Sequence, residues 1–138
     1  MVLVDSNVLL DIIKRDPQWL PWSRFALAHT LLGDSVVINP LIYAELSVAY
    51  RTSAELDHVL QILGIERADL PWEAAHPAGQ AFVQYRRRGG SRISPLPDFY
   101  IGAHAEVAGY SLLTRDTNRY RTYFPSVSLI TPENLPLC

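Results

Sequence analysis

Val2-Leu3-Val4-Asp5-Ser6-Asn7-Val8-Leu9-Leu10-Asp11 opens the chain, and its first half decides the fold. Val2 to Val4 is an unbroken apolar run closed by a carboxylate. A run without alternation suits a strand buried on both faces of a sheet. Two more such runs follow at 35–38 and 111–114, and 127–130 is expected as a fourth. Helical spacing separates them at 7–14, 17–32, 40–50, 53–63, 72–88 and 98–108. Trp19, Trp22, Phe25 and Leu32 form one stripe of the second. Gly64 and the Gly89-Gly90 pair stand where C-terminal caps belong. Strands alternating with helices specify parallel βαβ units. The expectation is an α/β fold: a small parallel sheet covered by helices on both faces, one domain over residues 1–138. The stretch 50–95 reads as mostly helical with no strand of its own, and residues 91–97 as an ordered loop with Pro95 and Pro97.

Composition narrows the function. The chain has 138 residues, of which 49% are hydrophobic and 19% charged, which excludes disorder. Fourteen acids against twelve bases exclude a uniformly basic nucleic-acid binder. Lys14 is the only lysine, so the other bases are arginine. The single cysteine, Cys138, excludes a disulfide framework or a cysteine metal cluster. The chain start has no leader-like character and no window suits a membrane span. A reduced cytoplasmic setting is therefore expected.

In open α/β sheets the ligand crevice lies at the carboxyl ends of the strands. Asp5 ends the first run, Asp116 follows the third by two residues, Asp98 begins a helix, and Glu45 lies inside the helix that follows the second run. Asp5, Asp98 and Asp116 also suit plain capping or turn roles. Glu45 is harder to explain that way. Its helical neighbours Leu41, Ile42, Val48 and Ala49 are apolar, and a carboxylate on a core face needs compensation, for which a buried arginine is one candidate. The helix after Asp98 carries Gly102, Ala103, Ala105 and Ala108, which permits close packing against the sheet. Carboxylates converging on one crevice raise each other's pKa values, and a divalent cation relieves the conflict. Hard oxygen donors select Mg²⁺ or Mn²⁺. Such a site suits hydrolysis of phosphate esters.

Four segments then carry a resemblance: residues 4–11, Tyr43-Ala44-Glu45-Leu46, residues 97–105 from Pro97-Asp98 onward, and Leu112-Leu113-Thr114-Arg115-Asp116, with the tail around 119–125 and 129–132. In this order they resemble the PIN-domain ribonucleases, in particular the VapC toxins of toxin–antitoxin pairs. The resemblance implies a single-strand endoribonuclease in which Asp5, Glu45, Asp98 and Asp116 form the site. Asp5, Asp98 and Asp116 would hold Mg²⁺ or Mn²⁺, with Asn7 and Thr114 orienting the carboxylates. It further implies metal-activated water, a 5′-phosphate product, a homodimer and a VapB-like antitoxin partner.

Arginine forks match phosphate oxygens, so Arg86 and Arg92, and more so Arg115 and Arg119, are candidate RNA contacts; neutralising the acids is their other role. Tyr120, Tyr123 and Phe124 read as core or dimer interface before base-stacking surface. His29, His58, His76 and His104 never recur at helical metal spacing. A phosphotransfer protein would need a lysine at the site, and Lys14 is misplaced for that. A non-catalytic RNA-binding or interaction domain remains the alternative, although four anions facing phosphates do not serve a pure binder.

Overall fold

A computed structural model describes residues 1–91 and 96–137. Arg92, most of the loop expected at 91–97, and Cys138 lie outside the described residues. Within them five strands form one parallel sheet in the order β3-β2-β1-β4-β5. In chain order the elements are β1 (Val2–Val4), α1 (Ser6–Ile13), α2 (Leu20–Gly33), β2 (Val36–Ile38), α3 (Pro40–Leu46), α4 (Ser53–Leu63) and β3 (Glu66–Arg67). They continue with α5 (Ala75–Arg87), α6 (Leu96–Ala108), β4 (Ser111–Leu113), α7 (Thr117–Tyr123) and β5 (Leu129–Ile130).

Strand β1 is central: Val2 and Leu3 align with Val36 and Val37 on one side, and Val2 to Val4 with Ser111 to Leu113 on the other. Successive strand residues point to opposite faces, yet all three residues of β1 and of β2 are buried. Both faces are therefore covered, as the unbroken apolar runs required. The chain proceeds outward from β1 through β2 and β3 on one side, then crosses to β4 and β5 on the other. The reversal falls between β1 and β4, so the crevice expected of such a sheet opens above those two strands.

The sequence reading missed β3. Glu66 and Arg67 are exposed, and they form a strand only because Val37 and Ile38 offer their edge. An edge strand of two charged residues has no hydrophobic signature to find. Helix α7 was also missed, since Asp116 and Thr117 read as a turn. The stretch 72–88 divides into a 3-10 turn, Trp72–Ala74, and α5, while 40–50 ends as a helix at Leu46 before a 3-10 turn, Ser47–Ala49. Gly64 caps α4 at φ 77°, as expected. Leu32 leaves the stripe of α2 and is 89% exposed, while Trp22 is buried and its indole N–H donates to the Leu135 carbonyl at 2.7 Å.

Two contacts fix α6, which carries Asp98. A Cβ built on Gly102 would lie 2.4 Å from the Phe124 ring, so the small-residue face meets that ring and not the sheet alone. Two residues on, buried His104 accepts through Nδ1 from the Asn39 side-chain amide at 3.0 Å. Asn39 in turn caps α3 by accepting from the Ile42 N–H. The helices bearing Glu45 and Asp98 are thus tied together by a buried polar pair.

Candidate active site

Asp5 leaves the end of β1 buried, 4% exposed, and serves as the N-cap of α1. Its Oδ1 accepts from the Ser6 N–H at 2.8 Å. Its Oδ2 accepts from three side chains: the Thr114 hydroxyl at 2.9 Å, the Tyr120 hydroxyl at 3.1 Å and the Asn7 amide at 3.3 Å. A carboxylate offers about four lone-pair sites, so Oδ2 is saturated and Oδ1 retains capacity. Burial pushes the carboxyl up to about 7; nearby Asp98 and Glu45 push the same way, and the Thr114 and Tyr120 hydrogen bonds oppose it.

Thr114 joins the two strands that flank the crevice. The same hydroxyl that donates to Asp5 accepts the backbone N–H of Asp116 at 3.0 Å and the Asn7 amide at 3.3 Å. Asn7 completes the link by accepting the Arg115 N–H at 3.3 Å. Asp116 is half-buried and stands at the N-cap position of α7 without making a side-chain capping bond. Its carboxylate is therefore not spent on the helix end.

Asp98 lies in the first turn of α6, paired with Arg119 of α7 through Nη1 and Oδ2. Partial burial raises its carboxyl and Asp116 adds to the rise, against the opposing effect of Arg119. Glu45 is half-buried, not core-facing, because Val48 is 75% exposed beyond the end of α3. Its compensation comes from Ser6, whose hydroxyl donates to Oε1 at 3.1 Å. No arginine partner for Glu45 is found among the described residues. Desolvation raises its carboxyl, with Asp98 contributing. Ser6 therefore bridges two acids, through its backbone to Asp5 and its side chain to Glu45.

Asp5 feels the charges of Glu45 and Asp98, Glu45 that of Asp98, and Asp98 that of Asp116, so the four acids expected from the sequence are electrostatically linked. Among the described residues, however, no three histidine, cysteine or acidic side chains stand close enough to enclose one ion. The donor set is chemically suited to a hard divalent cation: all oxygen, with three carboxyls held above their usual range by burial and mutual repulsion.

The arginines separate into different roles. Arg115 grips Asp11 with two N–H groups, at 2.7 and 2.9 Å, beside the Ser23 hydroxyl at 2.7 Å and over the Trp19 ring. Its guanidinium is committed to this pair, so the neutralising role describes it better than phosphate contact, and the acid neutralised is Asp11. Arg86 is exposed at the end of α5 and donates to the Ser91 carbonyl. Tyr120 and Phe124 are buried and Tyr123 packs edge-on against Phe99 at 5.1 Å, in keeping with a core role. Reading Tyr120 as core missed its hydroxyl. Its position four residues after Asp116, on the same helical face, was the available signal. Asp11 gave none, because its partner lies 104 residues away.

Parallel strands with acidic side chains beside their reversal define an open α/β fold with a candidate site at the carboxyl ends of its strands. The PIN domain family model matches residues 2–125, and the chain belongs to that family. No curated protein matches it. Among solved structures it is similar to a chain of VapBC2 from Rickettsia felis bound to a promoter DNA fragment. That match has 17% identity over 95% of this chain and 98% of that one, with a TM-score of 0.71. It is also similar to a chain of FitAcB from Neisseria gonorrhoeae, with 24% identity over 98% and 100% and a TM-score of 0.67. A third is from DNA-bound VapBC of Salmonella typhimurium, with 21% identity over 94% and 96% and a TM-score of 0.67.

Proposed function

We propose that this PIN domain, spanning residues 1–138, is a Mg²⁺- or Mn²⁺-dependent endoribonuclease and the toxin of a VapBC-type pair. The observation that supports the reading is the mutual repulsion linking Asp5 to Glu45 and Asp98, and Asp98 to Asp116, beside the β1–β4 reversal, with Asp5 held up to about 7. Isolated caps do not need to repel one another; a cation-binding set does. Asp5, Asp98 and Asp116 would hold the ion, and Glu45 completes the acidic wall. A bound divalent cation supplies charge neutralisation at the phosphate and a more acidic water.

The chain's own residues set the geometry. Thr114, Tyr120 and Asn7 hold Asp5 in one orientation, with Oδ1 left available. Ser6 keeps Glu45 beside Asp5, where its carboxylate can accept a proton from an attacking water. Arg119 is the arginine best placed for a substrate phosphate, being partly exposed and paired with Asp98 through a single contact.

A second chain as partner is supported by the VapBC and FitAB assemblies of the similar structures and by a groove between α1, α2 and α4. This groove, of about 460 Å³, is lined by Ile12, Leu20, Leu27 and Leu31 with Arg15 and Arg24 at its edge. Such a mixture suits an amphipathic segment with acidic residues, as a VapB-like antitoxin would supply. A homodimer in a cytoplasmic setting completes the proposal; no helix of the described residues is long and apolar enough to cross a membrane.

Incubation with labelled RNA tests the enzyme reading. Cleavage is expected with Mn²⁺ and should vanish with chelator or with Asp98→Asn. Tight RNA binding without cutting, under any metal condition, would instead establish the non-catalytic binding domain.

A further inference from the structure

Two arginine–aspartate pairs flank the crevice, and they are built differently. Arg115 and Asp11 share two hydrogen bonds, Asp11 is 4% exposed at its side chain, and Ser23 donates to the same carboxylate. That pair is closed. Arg119 touches Asp98 through a single nitrogen and oxygen, and the two side chains are 24% and 29% exposed. No other side-chain donor to Asp98 is found among the described residues. The Arg119 guanidinium also lies 5.8 Å from the ring centroid of Phe99, a flat buried surface over which it can pivot. Single-contact pairs open to water contribute little to stability, so this one can exchange partners at small cost.

Resting on the nuclease reading, we infer that Arg119 is an exchangeable counter-ion. In the free protein it neutralises Asp98. When a divalent cation takes Asp98, Arg119 swings over Phe99 and transfers to a phosphate of the RNA strand. A cation on one side of the exchange and a polyanion on the other give Arg119 opposite effects on the two ligands: it hinders metal binding and aids substrate binding.

The test measures both. Mn²⁺ affinity is read from the electron paramagnetic resonance signal of the free ion, without RNA. KM for a labelled single-stranded RNA is read at saturating Mn²⁺. Arg119→Gln should bind Mn²⁺ about tenfold more tightly, the repulsion a unit charge one side chain away exerts on a dication even at the permittivity of water. Its KM should rise several-fold while kcat changes less. Arg119→Lys keeps the charge without the fork and should fall between, and it serves if the glutamine variant folds poorly. Arg121→Gln, on the same helix but paired with exposed Glu133, should match the wild type in both. Unchanged or weaker Mn²⁺ binding by Arg119→Gln, or an unchanged KM, would overturn the exchange. The wild-type protein alone decides the underlying reading: failure to bind Mn²⁺ and cut RNA removes both, whereas success with a silent Arg119→Gln removes only the exchange.

Discussion

Replacing Asp5 by asparagine removes a charge that the fold buries at the end of β1. The carboxyl titrates at about 7 in the folded protein against 3.8 when exposed. A raised carboxyl binds its proton more tightly in the folded state. Stability is therefore fullest with Asp5 neutral, below about pH 4, and is lost as the pH climbs through about 7. Linkage between those two values gives a loss of about 2–3 kcal/mol between about pH 5 and about pH 8 from Asp5 alone. For a chain of this length that lowers Tm by roughly 10 °C. The raised carboxyls of Glu45 and Asp98 act in the same direction. Buried His104 acts in the opposite one, since desolvation lowers its pKa and favours the neutral ring as pH rises. The difference between wild type and Asp5→Asn therefore isolates Asp5 better than either melting curve. Calorimetry in chelator across this pH range should show the variant gaining on the wild type by about 2–3 kcal/mol. Mn²⁺ should raise the wild-type Tm more at the alkaline end, where Asp5 is already ionised. Parallel Tm-against-pH curves for the two proteins would refute the claim that a buried, repelled carboxylate lies at the centre of the site.

Other outcomes follow from single contacts. Tyr120→Phe deletes one of three donors to Asp5 Oδ2 without changing the packing, and should lower kcat/KM by about tenfold, as expected for a hydrogen bond to a charged group; activity equal to wild type would make the hydroxyl incidental. Gly102→Ala places a methyl against the Phe124 ring and should destabilise by about 1–3 kcal/mol in denaturant titrations, a shift of α6 that also displaces Asp98. Arg115→Gln leaves Asp11 buried without its ion partner and should destabilise by about 3 kcal/mol or more, a loss that Asp11→Asn in the same chain should partly reverse. Ser6→Ala frees Glu45 from its donor and is expected to reduce turnover while leaving Tm within about 1 kcal/mol equivalent of wild type.

The runs read at 2–4, 35–38 and 111–114 were legible because a strand buried on both faces is apolar throughout its middle, with polar residues such as Ser35, Ser111 and Thr114 only at its ends. The acids that close or follow those runs were legible for a related reason. Asp5 and Asp116 lie just beyond the carboxyl ends of adjacent strands, so their proximity follows from strand order once the sheet is parallel. Strand β3 was invisible, because its pairing with β2 is a property of β2's free edge and not of Glu66 and Arg67. The setting of Glu45 was read only in part: helical spacing put it among apolar residues, but the break after Leu46 turned Val48 out to solvent.

By itself, then, the sequence determined the α/β class and the parallel strands, and it put Asp5, Glu45, Asp98 and Asp116 forward as the candidate acids, since periodicity and strand-end position are local properties of the chain. Tertiary structure alone decided which partners those acids have. Thr114 and Tyr120 reach Asp5 across more than a hundred residues, Ser6 reaches Glu45 across thirty-nine, and Arg115 chooses Asp11 while Arg119 chooses Asp98. Hydrogen bonds and ion pairs act over a few ångströms, so their partners are fixed by how the helices cross above the sheet and not by spacing along the chain.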